Sequence, residues 1–117
     1  MTDRTARVRE LNLYRQHFGL VVAGTKMIEV RVKYPRLDDL AAGDTIHFRI
    51  NGTDETCDVN VLRVTEDPDF EALLGGEVST NVNRTADRDQ QLSDIRSICD
   101  PEKEALGTIA IQIERAL

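Results

Sequence analysis

Gly24-Thr25-Lys26-Met27-Ile28-Glu29-Val30-Arg31 is the stretch whose reading decides the fold. A glycine suited to end a helix is followed by a turn lysine and then by alternating apolar and charged residues. Successive side chains of a β-strand point to opposite faces. Ile28, Val30 and Val32 are therefore expected on one face, packed on the core, and Glu29 and Arg31 on the other. The charged face is expected to meet solvent or to line a cleft. Lys26, in the turn, has a stem long enough to swing over that face, with its head group exposed. On spacing alone, the plainer reading is a solvated strand face with a Glu-Arg pair worth up to about 1 kcal/mol.

Working outward, Leu11 and Leu13 alternate with Asn12 and Tyr14, as in a short strand. Phe18, Val21 and Val22 then fall at helical spacing over residues 15 to 23, and Gly24 is placed to take the left-handed C-cap conformation. The strand at 27 to 33 is stopped by Pro35. Residues 36 to 42 read as a connection, closed by the turn signal Gly43-Asp44. Residues 45 to 50 form a third strand, with Ile46, Phe48 and Ile50 on one face and Thr45, His47 and Arg49 on the other. Asn51-Gly52 marks a hairpin. In the fourth strand, about 55 to 65, Cys57, Val59 and Val61 alternate before Leu62 and Val64 shift phase, which predicts a bulge near Val61-Leu62.

Pro68-Asp69 opens a helix carrying Phe70, Leu73 and Leu74, and Gly75-Gly76 ends it. Residues 77 to 84 read as a polar loop. Residues 87 to 99 read as a helix with Leu92, Ile95, Ile98 and Cys99 on one side, stopped by Asp100-Pro101. Residues 108 to 115 are a final strand with Ile109, Ile111 and Ile113 inward. Strands at both ends with helices between predict an α+β fold, a small curved β-barrel of about five strands with two to three helices. Residues 1 to 9 are polar and expected to be flexible, and residues 10 to 117 to form a single domain.

A chain of 117 residues can bury a core without disulfides or metals. Its net charge of −6, from 15 basic and 21 acidic residues, argues against a general coater of nucleic acid but leaves room for a local basic pocket. With no Trp, three Phe and two Tyr, a platform stacking several bases is hard to build. No apolar run reaches the roughly eighteen residues of a membrane span, and no secretory h-region is present. Cys57 and Cys99 form no C-x-x-C motif and read as free thiols, so a cytoplasmic location is expected. No metal-ligand spacing and no G-x-G-x-x-G or P-loop appears, so neither a metal nor a cofactor is expected.

Gly24-x-Lys26-x-x-Glu29-x-Arg31 resembles the G-x-K-x-x-E-x-R signature of the ASCH domain, a small relative of the PUA RNA-binding fold. Leu40-Ala41-Ala42-Gly43-Asp44-Thr45-Ile46-His47-Phe48 resembles a strand opening of PUA-like domains, and the likeness extends over about residues 9 to 115. The resemblance implies a PUA-like barrel binding RNA or a nucleotide-like small molecule in a cleft centred on the motif. Lys26 and Arg31 would meet phosphate or carbonyl groups, and Glu29 would orient Arg31 or accept hydrogen bonds from a base edge.

Some members of the family resemble amidohydrolases that cleave N4-acetylcytidine with a lysine, a threonine three residues later and a distant glutamate. Lys26 matches the lysine, Glu29 stands where the threonine would be, and Glu77 is the nearest match to the glutamate. The alternative is thus a small hydrolase acting on RNA or a modified nucleoside, with Lys26, Glu29 and Glu77 catalytic. Tyr14 could border the cleft as one stacking surface. His47 and Arg49 would face it if the second and third strands pair. His17 falls on the polar face of the first helix and receives no role.

Overall fold

A computed structural model of the chain describes residues 6 to 116. In chain order the elements are β1 (Val8–Leu13), α1 (Arg15–Val22), β2 (Ile28–Val32), a 3-10 turn (Pro35–Leu37), β3 (Thr45–Ile50), β4 (Thr56–Asp67), α2 (Phe70–Gly76), α3 (Ser79–Val82), α4 (Arg88–Ile98), α5 (Pro101–Glu104) and β5 (Thr108–Arg115). The strands form one sheet of order β1-β3-β4-β5-β2. All pairs are antiparallel except β1 with β3, which run parallel. A parallel pair needs a crossover, and here α1 and β2 lie within that crossover. The expected α+β fold with a curved sheet of five strands is present, and the sheet forms a half-barrel.

The register decides which side chains are inside. Residues directly opposite in an antiparallel pair share a face. Glu29 is opposite Ile111 and Arg31 opposite Ile109, whereas Val30 is opposite Ala110 and Ile28 opposite Gln112. Ile109 and Ile111 belong to the main core within the curved sheet, together with Leu11, Ile46, Phe48, Val59 and Val61. The charged face of β2 therefore turns toward the main core rather than outward as expected. The apolar face has a core of its own, in which Ile28, Val30 and Ala110 pack on Leu73, Leu74 and Val82 from α2 and α3.

Local chemistry explains most of the boundaries. Gly24 adopts φ 77°, the left-handed conformation expected of a residue that ends a helix. The register of β4 against β5 shifts between Val61 and Arg63, so Leu62 bulges and Val64 returns to face Ile111. The buried Asp44 accepts hydrogen bonds from the backbone N–H of Arg7 (3.0 Å) and of Ala41 (3.1 Å). That carboxylate pins the entry to β1 beside β3. Asp69 and Asp87 cap α2 and α4 by accepting from the N–H of Ala72 and Gln90.

Within the stretch expected to be flexible, Arg7 is tied to Asp44 and β1 begins at Val8; residues 1 to 5 lie outside the described residues. The expected helix count and the expected polar loop need correction. Helices exceed the expected two to three, since α3 lies in the stretch read as a polar loop and α5 follows Asp100. At four residues each, both are too short to show a helical period, and Pro101 starts a helix as well as stopping one. Among the described residues no helix is long and apolar enough to cross a membrane.

Ile111 is fully buried between Glu29 and Val64. Ile111→Ala is expected to lower unfolding free energy by about 2–5 kcal/mol in a urea titration. Ile111→Asp, which sets an unpaired charge beside Glu29, is expected to abolish the cooperative transition.

Candidate functional site

β1 and β2 are the two edges of the sheet. Curvature brings them near each other, and Arg31 Nη2 crosses the seam to donate to the Asn12 carbonyl of β1 at 2.5 Å. A cleft of about 630 Å³ lies along this seam, walled by the start of α1 on one side and by α4 on the other.

Lys26, Glu29 and Arg31 form one linked group within it. Lys26 Nζ donates to the Val82 carbonyl (2.9 Å) and lies 3.5 Å from Glu29 Oε1. Arg31 grips Glu29 Oε2 with Nε at 2.8 Å and Nη2 at 2.7 Å. The side chains of Lys26 and Glu29 are only 2% and 6% exposed, so the head group expected to be free is buried and paired. Burial pushes the Lys26 amine below its ordinary range, an effect the neighbouring Glu29 opposes. Burial alone would raise Glu29, but the charges of Arg31 and Lys26 and the hydrogen bond from Arg31 outweigh it and hold the carboxyl below its ordinary value. Glu29 is therefore an ionised carboxylate clamped between two cations.

Tyr14 lines the cleft and is 61% exposed. The other expected members are elsewhere. β2 pairs with β5, so β4 and β5 separate it from β3. His47 instead meets Asp58 on the neighbouring strand (2.5 Å), and Arg49 donates to the Thr53 carbonyl (3.4 Å). Neither lines the cleft. Glu77 is also outside it, held by Arg63 through contacts of 3.0 and 3.2 Å.

Residues that received no role take their places. His17 of α1 lines the cleft, and its Nδ1 is buried without a hydrogen-bond partner among the described residues. Burial first, then the Lys26 charge, holds its pKa below the ordinary value, so the ring is neutral at pH 7. Its place in the first turn of α1, which starts directly after Tyr14, is what carries it to the cleft. Gln91 of α4 is buried at the wall. Its Nε2 faces the carbonyls of Ser79, Asn83 and Ala86, which fixes the amide and leaves Oε1 unpartnered. Tyr34 and the free thiol Cys99 also line the cleft. No sequence period announces these last three, because only tertiary packing brings α4 and the β2 exit to the seam. Among the described residues, no His, Cys and carboxylate group is arranged to hold a metal.

Lys26→Ala removes one of the two cations of Glu29 and the donor to the Val82 carbonyl, while Arg31 stays on the carboxylate. It is expected to cost about 1–3 kcal/mol in chemical denaturation, as leaving a buried polar group unsatisfied does. Glu29 also sets an acid limit. Because its folded pKa is depressed, its stabilising contribution is present above the ordinary carboxyl value of 4.5 and is lost as pH falls through the folded value. Glu29→Gln is expected to be less stable at pH 7 and to show a flatter decline in melting temperature below about pH 4.5.

The family model for the ASCH domain matches residues 11–115. The crystal structure of hypothetical protein PH0355 superposes with a TM-score of 0.82 at 26% identity, covering 94% of this chain and 99% of that one. The solution structure of protein PF0455 from Pyrococcus furiosus gives 0.72 at 25% identity, covering 92% and 96%. A mutant of ZmASCH from Zymomonas mobilis gives 0.66 at 14% identity, covering 92% and 68%, a likeness of fold alone. No curated protein matches. With the signature group assembled on β2 and nearly the whole length matched, the chain belongs to the ASCH domain family.

Proposed function

We propose that the seam cleft binds one nucleotide unit, either as a compact ligand or as a base splayed out of single-stranded RNA. The observation that carries this reading is the cleft itself. It has about 630 Å³ of space, a polar floor fixed by the Lys26–Glu29–Arg31 group, and an exposed Tyr14 at its rim. That volume falls in the range of small-molecule sites, about 300–1,000 Å³. A single exposed aromatic supports stacking of one base rather than a run of them. The net charge of −6 opposes a long polyanion and tolerates a short one.

Binding is favoured over hydrolysis by the state of the expected catalytic group. Lys26 is held by Val82 and Glu29, Glu29 replaces the threonine of the amidohydrolase arrangement, and Glu77 is bound to Arg63 away from the cleft. The buried amine lacks both of the partners with which it would attack an amide. Its pairing suits orientation of a ligand more than nucleophilic attack.

The test is an amide NMR titration with the four ribonucleosides, with N4-acetylcytidine and with a short mixed single-stranded RNA. Shifts are expected at Tyr14, His17 and residues 29 to 31. Tyr14→Ala is expected to weaken binding by about 1–3 kcal/mol, or about 5- to 150-fold, with an unchanged melting temperature. Release of cytidine from N4-acetylcytidine would replace this reading with the hydrolase, and shifts confined to other surfaces would remove it.

A further inference from the structure

We propose that Arg36 and Lys103, gathered around Tyr34, form a phosphate subsite at the edge of the seam cleft, so that the ligand is phosphorylated. This rests on the reading of the cleft as a single-nucleotide site. The Arg36 guanidinium lies 5.9 Å and the Lys103 ammonium 5.6 Å from the centre of the Tyr34 ring. The ring itself lines the cleft.

The pairing of charges distinguishes these two from the cations of β2 and its flanks. The cations of β2 and its flanks are committed: Lys26 and Arg31 to Glu29, and Lys33 to Glu66 at 2.9 Å. Among the described residues Arg36 and Lys103 have no carboxylate partner, although the chain carries an excess of acid. The nearby Asp39 is held by Arg7 and Arg9, and Glu104 by Arg96. Two like charges therefore lie beside one aromatic ring, whose π-electrons attract each of them without neutralising either. A phosphate beside the ring, as a monoester or a diester, would supply the missing negative charge.

The two come from different parts of the chain, which makes a local accident of sequence a poor account. Arg36 belongs to the 3-10 turn after β2, where Arg9 Nη1 donates to its carbonyl at 2.8 Å and fixes the backbone while the side chain stays exposed. Lys103 belongs to α5, and is exposed too. A planar guanidinium can take two phosphate oxygens while an ammonium adds a point charge. The phosphate belongs either to a free nucleotide or to an RNA backbone, and both present non-bridging anionic oxygens to these two side chains.

Isothermal titration at fixed salt would compare adenosine, cytidine, guanosine and uridine with their 5′-monophosphates and with trinucleotides lacking terminal phosphates. The best-bound nucleoside is expected to gain at least about ten-fold on acquiring its phosphate, a factor of one decade per 1.4 kcal/mol. Arg36→Ala/Lys103→Ala is expected to erase that gain and leave nucleoside affinity and melting temperature unchanged. Arg36→Glu/Lys103→Glu is expected to make the monophosphate the weaker ligand. A gain shared by the trinucleotide assigns a backbone phosphate, and a gain confined to the monophosphate assigns a terminal one. Equal affinity for nucleoside and monophosphate, or a gain that survives the double alanine variant, overturns the subsite while Tyr14-dependent nucleoside binding keeps the cleft. Absence of binding by nucleoside and monophosphate alike overturns both.

Discussion

The Glu29 carboxylate, buried on the inner face of β2 beside Ile111, is the charge around which the seam of this half-barrel is arranged. An ionised carboxylate cannot sit against an isoleucine core without partners, because its desolvation exceeds what packing returns. Arg31, two residues on and on the same face, supplies one partner, and Lys26, in the turn that leads into β2, supplies the other. Each partner then reaches a second segment. Arg31 takes the Asn12 carbonyl of β1, and Lys26 takes the Val82 carbonyl of α3. One buried charge thus links the turn after α1, both edges of the sheet and the helical layer. Buried ion pairs contribute little net stability, but their directionality selects one geometry among several. The spacing K-x-x-E-x-R is what this arrangement needs: a strand period of two between Glu29 and Arg31, and a turn between Lys26 and Glu29.

That pairing changes what the cleft can do. A lysine and an arginine near a cavity suggest free positive charge, yet here both are neutralised or hydrogen-bonded before any ligand arrives. The floor of the cleft is therefore rigid and polar rather than strongly cationic. Rigidity lowers the ordering cost of binding and favours recognition by shape and hydrogen bonding. Net attraction for an anion has to come from cations outside the motif. The neutral His17 and the fixed amide of Gln91 add to the polar wall without adding charge.

The strands were legible because alternation is a local property. Thr45–Ile50 and Thr108–Arg115 fall where the pattern puts them, and the phase change at Leu62 identifies the bulge. The α1 end was legible because Gly24 has a single backbone reason to be there. The orientation of β2 was not. Its two faces are one apolar and one charged, so burial of the apolar face alone was the economical reading, and both faces turn out to be covered. Only the pairing partner decides this, and β2 pairs with the strand most distant from it in sequence. The same non-local pairing separates His47 and Arg49 from the motif, and Arg63 draws Glu77 away.

The parts of the site that escaped the sequence therefore share a cause. Tyr34, Gln91 and Cys99 line the cleft because α4 and the exit of β2 meet at a seam between strands that share no backbone ladder. A seam has no sequence period. The signature residues, by contrast, are legible because their first task is to close that seam. It follows that a G-x-K-x-x-E-x-R match reports the architecture of the cleft more directly than its ligand. Ligand choice would rest with residues the motif does not contain: Tyr14 at one rim, the wall formed by His17 and Gln91, and the cations around Tyr34. Two proteins can then share the signature and the fold while holding different molecules, because the wall can change without disturbing the buried charge that holds the seam together.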